Sequence, residues 1–470
     1  MKKIIPVLII GILVISGIGA SAFSITINEN NDQYDMVIIT PIAFVSNVQP
    51  LVDHKNSHGL QTMIKTTEDI YNEYTGRDKP EQIKYFIKDA VESLSISYAL
   101  LIGGRLGQQD DWYVPVRRVE LDDGFGRGKF FISDLYFADL YKEGGEFEDW
   151  DKNGDDIIAQ WPKDKFDLNP DVYIGRLPCR DSTEVKNCVD KIIQYENNAY
   201  GQSWFNKMVA VAGDTFPDYA GNEGELTCDY ASSFMQDFDV IKLYYSTGTI
   251  TSSTDVINAI NNGCGFFFTR GKGGTDRIRI PRSDGTEIIA LQNEEIDQLT
   301  NKDQYPVMIL GECQHGQFGM PKQKTRSILN NIFGLFKEFF NHFFDIEKIE
   351  NEINPIPQDN GNECIAEKLL YKKDGGAISV LTNSHLCFGV FGDNNQNGIP
   401  DDAEAYGGFL AVEVFRLYAQ ENIDILGQIH VKSIENYVST QPVLTNKIHC
   451  KSVLEWTLLG DPSLKVGGYQ

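Results

Sequence analysis

The sequence has no run of Lys or Arg, no CxxC pair and no His/Cys group at zinc-ligand spacing, and each absence removes a class of function. With 42 Lys+Arg against 67 Asp+Glu, a net charge of -25, the chain is repelled by phosphate backbones, so no nucleic acid partner is expected. Without clustered Cys and His ligands, no structural zinc site is expected either. The 8 cysteines fit no small disulfide scaffold, and a chain of 470 residues builds a core that needs no covalent staples. After Ala22 no stretch is long and apolar enough to span a bilayer. What is present is 41% hydrophobic and 11% aromatic residues, which rules out disorder as the main theme. At roughly 100 to 200 residues per domain, the length leaves room for two or three domains.

The first residues read as an address. Lys2 and Lys3 precede an apolar stretch from Ile4 to Gly19, and Ala20-Ser21-Ala22 has the small-x-small form of a signal-peptidase site. The expectation is a signal peptide over residues 1–22 and a secreted or cell-surface chain starting near Phe23. An uncleaved N-terminal anchor is the alternative, because the apolar run is only slightly shorter than a bilayer span.

Short apolar runs then alternate with helical patterns. Tyr34–Thr40, Leu60–Thr66 and Ser97–Gly103 are the first strands, with Ile83, Phe86, Ile87 and Val91 at helical spacing between the last two. A second series comprises Lys207–Gly213, Val240–Tyr244, Cys264–Thr269, Val307–Leu310 and Ala377–Leu381. Such alternation predicts two consecutive α/β subdomains with mainly parallel sheets, residues 23–200 and 201–470. A helix capped by Asp181, with Glu184 at its third position and Val185, Cys188, Val189, Ile192 and Ile193 on one face, joins them. Runs without polar alternation imply sheets covered on both faces, and open parallel sheets carry their sites at the carboxyl ends of strands. An apolar insertion falls at 323–358. Its Ile328–Phe344 stretch reads as an amphipathic helix that docks on its own domain, contacts a partner or touches a membrane surface.

Two acidic loops have calcium-loop spacing. From Asp393 the sequence DNNQNGIPDDAE places oxygen ligands at Asp393, Asn395, Asn397, Asp401 and Glu404, with Gly398 at the sixth position. Calcium takes six to eight hard oxygens, glycine permits the sharp turn, and the twelfth-position glutamate supplies two oxygens. DWDKNGDDIIAQ repeats the pattern at Asp149, Asp151, Asn153 and Asp155, but Gln160 stands where the bidentate glutamate belongs. Structural Ca2+ is expected in these loops; the plain alternative is a solvated Asx/Gly turn.

Val307–Leu310 runs into GECQHGQF, so Cys313 sits where a parallel strand ends. A cysteine there is a nucleophile candidate, since backbone amides left free at a strand end can hold an oxyanion. Together with PDVYIGRLPCR (Pro170–Arg180), VAVAGD (Val209–Asp214), GCGFFFTRGKG (Gly263–Gly273), CQHGQF (Cys313–Phe318), GGAISVL (Gly375–Leu381) and LLGDPSLKV (Leu458–Val466), it resembles the gingipain-like cysteine peptidases, of the clan that also holds the caspases. The resemblance implies a gingipain-type α/β fold, chemistry in the second subdomain, a polypeptide substrate, and Cys313 as nucleophile. It also implies a histidine in a Gly-His-Gly block after the preceding strand, where this chain has Gly271-Lys272-Gly273.

That departure leaves three readings. Lys272 stays charged and lowers the Cys313 pKa by pairing; or another histidine, His315 or His385, assists; or the fold persists as an inactive binding or scaffold protein. Lysine as the proton carrier is expensive, since moving it from about 10.4 to about 7 costs about 4.6 kcal/mol. Arg277 and Arg279 flank the Lys272 loop, either to recognise an acidic group or to pair with Asp276, Asp284 or Glu287. Glu312, next to Cys313, is an acid that a pocket for basic side chains would need.

Overall fold

The computed structural model describes residues 33–106, 111–125, 129–217, 219, 221–318 and 363–470. The signal peptide expected over residues 1–22 and the insertion expected at 323–358 with its Ile328–Phe344 stretch lie outside the described residues. Among the described residues no helix is long and apolar enough to cross a membrane.

Each expected apolar run forms a strand. The first half contributes β1 (Met36–Thr40), β2 (Thr62–Thr66), β3 (Tyr98–Ile102), a small hairpin of β4 (Arg118–Glu120) and β5 (Phe130–Ile132), and β6 (Tyr173–Leu177). The second contributes β7 (Lys207–Ala212), β8 (Asp239–Tyr244), β9 (Phe266–Arg270), the hairpin β10 (Arg277–Pro281) and β11 (Glu287–Gln292), β12 (Val307–Leu310), β13 (Ser379–Asn383) and β14 (Trp456–Leu459). One ten-stranded sheet runs in the order β2-β1-β3-β6-β14-β13-β12-β9-β7-β8. Read inward from either edge, the order is the same: second strand, first, third, fourth. The two halves therefore share one winding, and β14 pairs on one side with β13, antiparallel, and on the other with β6 at Leu459 and Arg176.

Burial follows position in the sheet. Every residue of β1, β3, β9, β12 and β13 is buried, as expected for strands covered on both faces, whereas β2 and β8 are half-exposed edges carrying Lys65 and Lys242, each ion-paired. Helix Ser182–Asn198 begins as its sequence predicts, with the Asp181 carboxylate accepting from the Thr183 and Glu184 amides. It packs on helix Val45–Ser57, where Lys55 Nζ lies 2.7 Å from Glu196 and 2.8 Å from Asp461. Through this buried triad the terminal LLGDPSLKV block is tied to the first half of the sheet.

Candidate active site

β9 and β12 are parallel neighbours, with Thr269 beside Leu310, so the segments that follow them emerge side by side. After β9 come Gly271, Lys272 and Gly273; after β12 come Gly311, Glu312 and Cys313. The two turns touch closely. A Cβ on Gly273 would lie 1.9 Å from the Cys313 carbonyl oxygen and 2.7 Å from its amide nitrogen, so only glycine allows this approach. Lys272 pairs as a short bridge with Arg279 of β10; its side chain is 43% exposed and its Nζ is 3.9 Å from Glu287.

On the other side the Cys313 turn is stitched to the segment after β13. The Gln314 amide donates to the His385 carbonyl at 2.8 Å, and the Gly316 amide to the Asn383 carbonyl at 3.1 Å. This brings in Cys387, whose Sγ is 3.5 Å from that of Cys313. These two cysteines are partly exposed, while the other six are buried. The hydrogen bond from Cys387 is the largest influence on the Cys313 thiol; burial opposes it, the Cys387 main chain and the positive charges of Lys451 and Arg270 support it, and the result is a pKa lowered to about 6. Cys387 is pushed the other way, above the ordinary thiol range, by the same hydrogen bond and by burial.

Beneath the thiols lies a buried ionic floor that sequence reasoning missed. Arg270, the last residue of β9, donates twice to Asp402 and once to the Gly311 carbonyl. Lys451 is 3.1 Å from Asp123 and 3.6 Å from Glu455 and donates to the Leu386 carbonyl. Burial pushes the Glu455 carboxyl up to about 8, against the pull of Lys451, and neither of its oxygens accepts a hydrogen bond. Arg270 and Asp402, like Lys451 and Asp123, are so far apart in sequence that no local pattern would have flagged them.

Both alternative histidines are fully buried. The His315 Nε2 donates to the Arg277 carbonyl at 3.1 Å, and its Nδ1 is 3.4 Å from Glu312 Oε2. Such a ring braces the turn and presents no nitrogen to substrate. His385 stacks on Phe131, and burial, helped by Lys451, lowers its pKa to about 3, so it is neutral. Glu312 is 1% exposed and takes the Thr269 hydroxyl at 2.7 Å, which places it in the sheet floor and not in a specificity pocket. Arg277 pairs with Asp276 at 2.7 Å and Arg279 with Glu287 at 3.2 Å, as the local-pairing alternative had it.

A model of peptidase family C25 matches residues 29–467. The chain belongs to that family. Gingipain R2 of Porphyromonas gingivalis is 22% identical over 298 residues, 62% of this chain and 33% of that protein, and gingipain R1 of the same organism is 21% identical over 298 residues, 62% and 25%. The chain thus matches about a third or less of these curated relatives' length. Family C25 is also visible in the fold: the crystal structure of the Arg-specific cysteine proteinase gingipain R superposes with a TM-score of 0.60 at 17% identity over 93% of this chain and 79% of that one. A complex of Porphyromonas gingivalis pro- and mature domains gives 0.59 at 18% identity over 92% and 79%.

The acidic loops differ from each other. In 393–404, Gly398 has φ +83, Asp393 accepts from the Asn397 and Gly398 amides, and Glu404 receives Asn395 at 2.8 Å and Asn397 at 2.7 Å. The Asn395 and Asn397 side chains therefore meet at Glu404, while Asp393 holds the loop backbone. Asp401 instead accepts from Asn394 at 3.0 Å. In the other loop Arg77 takes the place of a cation: its guanidinium is 2.5 Å from Asp151 and 3.8 Å from Asp149, while Asn153 turns to Asp155 at 2.9 Å. Asp164, not Gln160, supplies the further carboxylate, accepting from the Gln160 amide at 2.7 Å. Among the described residues no three His, Cys, Asp or Glu side chains form a metal-holding group; the 393–404 set depends on asparagine oxygens as well.

Proposed function

We propose that the chain is an exported cysteine-type endopeptidase in which the Cys313 thiolate attacks the carbonyl carbon of a peptide bond. The observation that carries this reading is the place of the thiol, partly exposed where the chain leaves β12 and 3.5 Å from the Cys387 sulfur, whose hydrogen bond favours the thiolate. Attack forms a C–S bond, the C–N bond breaks, and the departing amine needs a proton; water then cleaves the thioester. Lys272, on the turn pressed against Cys313, is the residue assigned to serve that amine, while Arg270 and Lys451 steady the thiolate. A structural calcium ion is assigned to Asp393, Asn395, Asn397, Asp401 and Glu404, where it would fix the helix that carries Asp402. Arg77 argues against a second ion at Asp149, Asp151, Asn153 and Asp155.

The competing reading, a binding or scaffold protein, is favoured by a specific observation: His315 and His385 are both buried and neither faces the thiol, so neither of these two delivers the proton. The two readings separate on a thiol-directed acyloxymethyl ketone or epoxide probe applied to calcium-loaded protein. Adduct formation at Cys313, its loss in Cys313→Ala and cleavage of a peptide library support the endopeptidase. A Cys313 no more reactive than free cysteine overturns it. Lys272→His is expected to raise peptide cleavage at least about tenfold, within the range general acid-base catalysis supplies.

A further inference from the structure

We propose that Cys313 and Cys387 form a redox modification site, in which a peroxide converts the two thiols to a reversible disulfide. Their sulfurs are 3.5 Å apart, and a disulfide requires about 2.05 Å, so closure asks for an approach of about 1.5 Å. The turns that carry them are held together already by the Gln314-to-His385 and Gly316-to-Asn383 hydrogen bonds. Access sets this pair apart from the other close pair. Cys179 and Cys188 are 3.9 Å apart, but both are buried. Arg270 and Lys451 beneath the site favour the thiolate at Cys313, the form that reacts with peroxide.

The chemistry balances with the peroxide as the only oxidant. The Cys313 thiolate takes one peroxide oxygen as the O–O bond breaks, giving a sulfenic acid and a hydroxide that picks up a proton. The Cys387 sulfur then attacks the Cys313 sulfur; the S–S bond forms, the S–O bond breaks, and the released hydroxide takes the Cys387 proton. Two thiols and hydrogen peroxide become one disulfide and two waters. A dithiol reductant reverses this by exchange. The consequence, a nucleophile held off and shielded from irreversible oxidation until reduced, rests on the peptidase reading. The cross-link itself does not.

The test treats the full chain with hydrogen peroxide, blocks free thiols with N-ethylmaleimide and maps peptides by mass. The expected result is a Cys313–Cys387 peptide pair two hydrogens lighter than the dithiol, Cys179 and Cys188 still reduced, and an about tenfold loss of probe labelling at Cys313 that dithiothreitol restores. In Cys387→Ser the same dose carries Cys313 to sulfinic acid, and dithiothreitol no longer restores labelling. Sulfinic acid at Cys313 in the unaltered chain without the cross-link, or cross-linking of Cys179 to Cys188 while Cys313 stays free, overturns the proposal. Mapping on the unaltered chain decides the matter even if Cys387→Ser does not fold. A cross-link in a protein that cleaves no peptide after reduction would remove the peptidase reading and leave the dithiol site standing.

Discussion

Arg270 and Asp402 share two charge-assisted hydrogen bonds, Nε to Oδ2 at 2.6 Å and Nη2 to Oδ1 at 2.5 Å, with both side chains 3% exposed. The pair binds the end of β9, one residue before the Gly271-Lys272-Gly273 turn, to the end of the acidic 393–404 loop. Asp402 also accepts the Thr227 hydroxyl at 3.0 Å. Asp402→Ala strands a guanidinium with no room to reach water, and about 3 to 5 kcal/mol of stability is expected to go with it. Urea unfolding of the variant beside the parent protein measures this; a difference under about 1 kcal/mol, the scale of an exposed pair, would show the Arg270 site to be solvated.

Because Asp402 stands on the turn that closes the loop, calcium at Asp393, Asn395, Asn397, Asp401 and Glu404 is expected to stabilise the same junction. At calcium a hundredfold above its dissociation constant the gain is about 2.7 kcal/mol, removed by EGTA and absent in Glu404→Gln. Equal melting temperatures with calcium and with EGTA would sink the assignment.

Gly273 and its neighbour Gly274 make a paired control. A Cβ at Gly273 meets the Cys313 backbone at 1.9 Å, whereas one at Gly274 finds its nearest atom, in the Arg277 side chain, at 3.6 Å. Gly273→Ala is expected to cut probe labelling of Cys313 about 100-fold by displacing the thiol, and Gly274→Ala to leave it near the parent value. Similar labelling of the two variants would mean that the close approach does not set the thiol's position.

The rate of iodoacetamide alkylation at Cys313 reports its ionisation directly. The thiolate is the reactive form, so a pKa lowered to about 6 predicts a rate that rises through pH 6 and is level by about pH 7, well below the rise near 8.5 of free cysteine. Cys387→Ala removes the thiol whose hydrogen bond is the largest single lowering influence, so the midpoint moves up. A midpoint unchanged in that variant would assign the effect to Arg270 and Lys451 instead.

Glu455 gives a pH dependence of stability with a definite sign. Burial raises its folded pKa to about 8, above the roughly 4.3 of a free glutamate, so the folded state holds a proton that the unfolded state releases. Its contribution is full below about pH 4.3 and is lost as pH rises through 8. Glu455→Gln, which keeps the neutral shape, should flatten the fall in melting temperature between pH 5 and 9 and leave the protein more stable than the parent at pH 9. Parallel curves would show that Glu455 ionises freely.

Local pattern in the sequence determined much of this protein. Apolar runs such as Val307–Leu310 and Cys264–Thr269 announced strands, Asp181 announced a helix start, and the end of the Val307–Leu310 run placed Cys313 at a strand end, because strand burial and capping act over a few residues. β6 and β14 were legible only as motif blocks: β6 carries a glycine and an arginine, β14 is four residues long, and they form strands because their partners bury them. The tertiary structure alone decided what surrounds the thiol. It brought Cys387 to within 3.5 Å of Cys313, set Arg270 on Asp402 and Lys451 beside Asp123, turned His315 and His385 into the interior, and gave Arg77 to the weaker acidic loop. Those contacts join residues tens to hundreds of positions apart, and the charge and reactivity of a buried group depend on neighbours in space, which no spacing along the chain records.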